Sequence, residues 1–590
     1  MIDHSSAEVS ENRIQPWEYG LVLVILLTMG VIAFLSASRE SITMDEIVHI
    51  PAGVSYLQQH DARMNPEHPP LMKVLSALPL VVGGIRLDYS LPHWTQTKDA
   101  LFGEEAFSSI GPTSSRWIML ARVPMIGIML ALGFTIFWMA RRLAGVGGGF
   151  LALFIFATTP FFYAYGPLVH TDIGIALFAL LATWTFVSVW FKPDWPHAVR
   201  FGLCLTGALL TKFTAGLLMP CFVLLALSFL LRPGAAAPRF WRSAWFSTIG
   251  VGISAVFVYC TYFFLFWNNN TAGVLAYRFE HSVAPIPVMK KVALFLQAHP
   301  DIQHLVSPPI IYFLGVGHTL HALPRTSYLL GRTYAHGTAV YFPALFAYKM
   351  PLAYLFLAAL LVVLTIAYLL RARSKTGEEV QAYPNHLRGL VLLFVLFTAA
   401  SLTSPLNIGI RHISVPIATL TVLLALAVPL ASAIFNSAAR KIALALMVLA
   451  VFGNISALAA GYPYYIPYFN TLVGHHPKFD VAIDSNLDWG QELIQLRDFQ
   501  QQHPSEKFGF DVKGSIPSVY LPGATAFDCE TGPPPGVDWA AIGSTRFVSQ
   551  PELVHLAADP KFQCRNYFQY PYVVDAGGAV YIFHVSGNSK

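Results

Sequence analysis

Runs of roughly 20 apolar residues, repeated about eleven times along one chain, leave few folds open. They fall near 18–37, 118–140, 149–166, 172–191, 200–212, 215–231, 244–266, 346–369, 388–404, 412–432 and 441–460. Only 12% of the residues are charged and 55% are hydrophobic, against about 25% charged in soluble domains. The chain therefore reads as an α-helical polytopic membrane protein. The first run is too long for a signal-peptide core and lacks a small-x-small cleavage site, so it is expected to stay as a helix. The fifth and sixth runs are short and joined by Thr211-Lys212-Phe213-Thr214, which predicts a tight hairpin of tilted helices.

Basic residues set the orientation. Arg141-Arg142, Lys192 with Arg200, Arg232 with Arg239 and Arg242, Arg371 with Arg373 and Lys375, and Arg440-Lys441 fall in alternate loops, which are read as cytoplasmic. The segment 1–17 votes the other way, with only Arg13 against several acids, and is outvoted. Loops 38–117 and 267–345, the turns near 167–171, 212–214 and 405–411, and the tail 461–590 then share the outer face. Within the first outer loop, Leu71 to Gly84 is apolar but too short to span and is expected as an interfacial or re-entrant helix, opened by Pro69-Pro70. The tail is richer in Gly, Pro and Asp. Its segments KFGFDV and GAVYIFHV read as strands of a small α/β domain, and SNLDWGQELIQLRDFQ as a turn leading into an amphipathic helix.

Polar chemistry concentrates on that outer face. Asp45 and Glu46 follow the first span directly; Glu67 and His68 come about twenty residues on, before Pro69-Pro70. Acids at a membrane edge are costly to desolvate and seldom needed for packing, so a chemical role is expected of them. Asp172 opens a span in VHTD, as a reacting group or as a helix cap. Lys212, Lys349 in AYKMPL and Arg411 in NIGIRH sit at span ends, with Arg332 in the second outer loop and Tyr334, Tyr341, Phe342 and Tyr348 around a groove. A lone cation at a span end is commonly a snorkelling anchor. Lys212 differs, lying outside against the positive-inside trend. Cations at the lip of a bilayer suit the phosphate of a lipid, and a facing carboxylate suits taking a proton from an attacking hydroxyl. His49, four residues after Asp45, shares its face in a helix, either to orient the carboxylate or to join Asp45 or Glu46 around a divalent ion. Glu67-His68 also reads as a plain turn before the prolines. Cys204, Cys221 and Cys260 lie in apolar runs; Cys529 and Cys564 lie in the tail and pair if it faces an oxidising compartment, or otherwise stay reduced.

TMDEIVHIPAGVSYL, NPEHPPLMK, TDIG, the short hairpin with TK, GRTYAHGTAVYFPALFAYKMPL and NIGIRH together resemble the protein O-mannosyltransferase and aminoarabinose transferase superfamily, membrane glycosyltransferases of the GT-C fold (glycosyltransferase family 39). The resemblance covers about residues 18 to 460. It implies inverting transfer of one sugar from a polyprenyl-phosphate donor to a hydroxyl on a protein or glycolipid, at the outer side of the membrane. In such enzymes the first acid after span one is the catalytic base, which matches Asp45 with Glu46 as its neighbour. Glu67 matches the acid of a Glu-Lys-Pro motif, but His68 stands where that motif has Lys. The missing phosphate cation then falls to Lys73, Lys212, Lys349 or Arg411, with Glu67, His49, His68, Asp172 and Tyr341 positioning sugar and acceptor. YPYYIPYFNTLVG and DSNLDWGQEL resemble an extension of bacterial members, not a β-trefoil. This implies a bacterial inner-membrane protein with a periplasmic tail, and makes the Asn269-Asn270-Thr271 sequon irrelevant. Asp484, Asp488 and Trp489 either touch substrate or order a turn.

The division expected is thus a cytoplasmic segment 1–17, a catalytic transmembrane domain 18–460 and a periplasmic domain 461–590. No nucleic-acid partner is expected; the partners are membrane lipids, donor and acceptor. A flippase or transporter of lipid-linked sugars is the alternative, but such proteins hold ionisable groups near the midplane and often show internal repeats, and this chain does neither. A membrane-anchored sensor leaves the acids of the first outer loop unexplained.

Overall fold

The protein is described from a computed structural model covering residues 14–230, 237–281, 287–321, 326–374, 385–548 and 564–586. Arg232 and Lys375, counted in the charge pattern, lie outside these residues. Nine described helices are long and apolar enough to cross a membrane. The sequence expectation of about eleven differs for two physical reasons. The runs 118–140 and 149–166 belong largely to one element, Ser114–Thr158, which Gly145 turns at φ 72° into two arms. Left-handed backbone of this kind is open to glycine at little steric cost. The fifth run forms Trp195–Leu209, only 15 residues long. It closes through Leu210 to Lys212 into the short helix Phe213–Leu217 and then Leu218–Leu230, the tight hairpin expected.

Helix starts follow local chemistry. Pro16 opens the first span, where its missing N–H costs nothing. Asp194 accepts from the His197 N–H and Asn436 from the Ala439 N–H, capping Trp195–Leu209 and Ser437–Gly461. Glu18 is buried near the start of the first span against Arg141, at 2.8 Å. That pair ties the start of span one to Arg141, just before the Gly145 turn in Ser114–Thr158; the acids counted before Trp17 lie outside the described residues.

The short apolar segment expected in the first outer loop forms the helix Leu71–Val82, which packs against Glu46–Gln59. The contact is close at Gly53, where a Cβ would lie 2.1 Å from the Lys73 carbonyl oxygen. Its first N–H donates to the Leu210 carbonyl at 2.9 Å. The acidic first loop is thereby fixed onto the Lys212 hairpin.

Beyond the last span, both expected strands form in a five-stranded sheet. Its order is Thr525–Ala526, Phe508–Asp511, Trp539–Gly543, Val580–His584, Tyr572–Asp575. The first two pairings are parallel and the last two antiparallel. Phe479, Phe547, Phe568, Tyr581 and Phe583 form an aromatic layer beside it, and a disulfide joins Cys529 to Cys564. The amphipathic helix is Leu493–Gln502.

This unit is bonded into the membrane domain. The Ser41 N–H donates to the Gln491 carbonyl at 3.0 Å and the Met44 N–H to the Trp489 carbonyl at 3.1 Å. Ser41 Oγ accepts from the Leu493 N–H at 3.0 Å. Around the joint lie buried carboxyls. Burial pushes Glu40 up to about 8 despite Arg122 beside it. Burial and then the Asp488 carboxylate drive Glu492 well above the ordinary range. These acids hold their proton more tightly folded than unfolded. Their contribution is therefore complete below about pH 4 and declines as pH climbs, toward about 8 for Glu40. Glu492→Gln is expected to raise the thermal midpoint more at pH 8 than at pH 5, as read by scanning fluorimetry. An equal shift at both would argue against the buried proton.

Candidate active site

The turn after span one points two neighbouring carboxylates in different directions. Asp45 precedes the first residue of helix Glu46–Gln59 and Glu46 is that residue, so the two side chains diverge by about 100°. Glu46 turns inward and is wholly buried. Arg122 clasps it at 2.8 and 2.6 Å, and the Thr43 N–H, the Thr43 hydroxyl and the Val169 N–H complete the shell at 3.0, 3.1 and 3.1 Å. Arg122 also donates to the carbonyls of Ala37, Glu40 and Ser41, within 2.8 Å. Every oxygen of Glu46 is thus engaged by the protein. The sequence expectation gave Glu46 a chemical role beside Asp45; here its oxygens are held within the turn that carries Asp45.

Asp45 faces outward, its side chain 24% exposed. Arg411 Nη1 donates to it at 2.7 Å and to Asp172 at 3.2 Å. Asp172 is bonded in turn to Lys212, and its backbone N–H donates to His170 Nδ1 at 3.0 Å. Groups from positions 45, 172, 212 and 411 therefore meet, at the ends of four different elements. Asp172, Lys212 and Arg411 are nearly buried, at 1, 10 and 6%, so Asp45 is the most exposed of the four. Two cations and two anions balance. Burial alone would raise the Asp45 carboxyl, but the Arg411 guanidinium holds it well below the usual carboxylate range. It is ionised at neutral pH, and a weak base for as long as Arg411 keeps it.

His49 lies one turn after Asp45, its Nδ1 bonded to the Val169 carbonyl at 3.0 Å and its ring edge-on to His68 at 5.2 Å. Burial lowers His49 to about 4 and takes His68 well below the ordinary value, so both are neutral at pH 7. Lys73 is fully buried. Its Nζ donates to the Tyr56 hydroxyl, the carbonyls of Asn65 and His68 and Asn65 Oδ1, at 2.7–3.2 Å. Burial lowers it to about 7. Those bonds fix the loop that carries Glu67 and His68.

Other expected members lie elsewhere. Lys349 Nζ donates to the carbonyls of Ile466 and Asn486 at 2.5 and 2.6 Å, over the Phe469 ring. It anchors the tail to the membrane domain and stands outside the Asp45 cluster. Tyr341 is buried, its hydroxyl accepting from Asn486 at 3.0 Å. Arg332 is exposed on a small hairpin, Ser327–Leu329 with Arg332–Tyr334. Among the described residues, the one group of three His, Cys, Asp or Glu ligand atoms within 4.8 Å of one another is Asp511, Cys529 and Cys564. There the sulfurs are joined to each other and Asp511 is paired with Arg546.

Sequence reasoning passed over Arg122, a lone charge inside an apolar run, although such a charge is a functional or pairing signal in its own right. It also left Ser485 and Asn486 without a role.

Residues 116–267 match a family model described as dolichyl-phosphate-mannose-protein mannosyltransferase. The resemblance read from the motifs stands on that segment. Among solved structures the chain is similar to ArnT from Cupriavidus metallidurans bound to undecaprenyl phosphate, with 13% identity, 96% of this chain and 98% of that chain covered, and a TM-score of 0.46. It is similar to the Archaeoglobus fulgidus oligosaccharyltransferase in complex with zinc and sulfate, with 11% identity, 94% and 72% covered, and a TM-score of 0.43. For a protein O-mannosyltransferase complex of S. cerevisiae bound to the sugar donor, the values are 18%, 45% and 36%, and 0.36. No curated protein matches the chain.

Proposed function

We propose that this chain is an inverting glycosyltransferase of a bacterial inner membrane, moving one sugar from a polyprenyl-phosphate donor to a hydroxyl acceptor on the periplasmic side. The observation that carries the reading is the direct Asp45–Arg411 contact, with Asp172 and Lys212 behind it, at the meeting of four element ends. Arg411 and Lys212 supply charge-assisted donors for the donor phosphate. As the phosphate takes Arg411, Asp45 loses the partner that keeps it a weak base, and it accepts the acceptor's hydroxyl proton. The acceptor oxygen bonds to the anomeric carbon as the carbon–oxygen bond to phosphate breaks. Polyprenyl phosphate leaves as an anion held by the two cations, so no general acid is required. One displacement inverts the sugar.

The outward side is supported by the basic loops and by the tail disulfide, which persists in oxidising compartments. The family description over residues 116–267 supports a prenyl-phosphate sugar as donor. Purified protein given a donor labelled in its sugar is expected to yield labelled acceptor and free polyprenyl phosphate in equal amounts. Donor that crosses a vesicle membrane with its sugar–phosphate bond intact would instead establish the transporter reading.

A further inference from the structure

The segment Asp484–Glu492 lies in the C-terminal unit, yet it touches both the Arg411 side chain and the backbone that carries it. The Arg411 guanidinium lies 4.2 Å over the Trp489 indole, which is 2% exposed. Arg411 Nε donates to Ser485 Oγ at 3.4 Å. The backbone carrying Arg411 is held as well. The Ile410 N–H donates to Asn486 Oδ1 at 2.9 Å and Ser485 Oγ donates to the Ile408 carbonyl at 2.8 Å. A Cβ at Gly409 would sit 2.1 Å from that same Oγ. The segment has its own anchors: Tyr165 donates to the Ser485 carbonyl at 2.8 Å, and Lys349 to that of Asn486. Asp484 itself takes a left-handed φ of 60°, a conformation held by surrounding structure and concentrated at functional sites.

Trp489 reaches both halves of the central ion pair. Its ring carries Arg411, and its carbonyl accepts from the N–H of Met44, the residue before Asp45. We infer that Trp489, backed by Ser485, is a positioning residue for phosphate capture: it holds the Arg411 guanidinium in plane when the donor phosphate draws it off Asp45. The inference rests on the reading that Arg411 binds the donor phosphate. In the resting protein, Asp45 and Asp172 fix Arg411 from one side. Once Asp45 is released, the indole face and Ser485 remain as guides on the tail side. The C-terminal domain is then a wall of the catalytic centre.

The test compares Trp489→Leu, which removes the aromatic face, with Trp489→Phe, which keeps one, in the full-length protein. A desolvated cation–aromatic contact corresponds to about a tenfold effect. Donor KM is expected to rise about tenfold in Trp489→Leu, with acceptor KM unchanged and most of the loss recovered in Trp489→Phe. Equal defects in the two variants, or a loss of kcat alone, would overturn the positioning role. If Trp489→Leu does not fold, Ser485→Ala carries the test through a rise of a few-fold in donor KM, and no change there would overturn it. Arg411→Ala is measured alongside. An unchanged donor KM in Arg411→Ala sinks the phosphate reading itself; a raised one with a normal Trp489→Leu sinks the positioning alone.

Discussion

Asp45→Asn is expected to lower kcat by about a thousandfold, the middle of the range for a lost general base, and to leave donor KM unchanged or lower. Asn keeps the size of the side chain but cannot accept the hydroxyl proton. The substitution also frees Arg411 from its strongest competitor for phosphate, while Asp172 still holds the guanidinium from behind. Folding is not at stake to the same degree, because Asp45 is the most exposed member of the cluster. Its pH behaviour has a defined sign. Asp45 sits below its unfolded value, so the stability it lends is complete above the ordinary carboxylate range and is lost as pH falls through the folded value. Asp45→Asn is therefore expected to lower the thermal midpoint above about pH 5 and to flatten the acid limb, the difference from wild type shrinking as pH falls. Retained transfer in a folded Asp45→Asn protein would remove Asp45 as base.

The spans were legible because the length and charge rules for membrane helices act locally. The same rules marked Lys212 as a cation on the unexpected side, and it lies in the cluster. Asp172 and Arg411 were legible as charges at span ends. Lys349 carried the same signal but lies against tail carbonyls, since a span end says nothing about the direction in which its side chain leaves. What the chain could not reveal was pairing over long separation. Glu46 with Arg122 and Trp489 with Arg411 bring together segments that no local period connects. The same limit applies to the DE pair. Adjacency in sequence suggests a shared task, whereas adjacency at a helix start separates two side chains by more than a quarter turn.

That separation carries the second large prediction. Arg122→Met leaves Glu46 buried without its cation, and breaking a buried pair from one side costs about 3–5 kcal/mol. Little folded protein is expected from membranes, and a thermal midpoint well below wild type. Glu46→Gln is milder. It keeps the side-chain length and one acceptor for Thr43 or Val169, while the Arg122 guanidinium retains the carbonyls of Ala37, Glu40 and Ser41. It is expected to lose yield and stability, yet to transfer sugar at close to wild-type kcat per folded molecule, because every oxygen of Glu46 is engaged by the protein. Asp45→Asn is expected to behave in the opposite way, folded and inactive. If folded Glu46→Gln instead loses as much kcat as Asp45→Asn, Glu46 must reach the reacting atoms in a conformation where Arg122 has let go of it, and the division between a base and its scaffold fails.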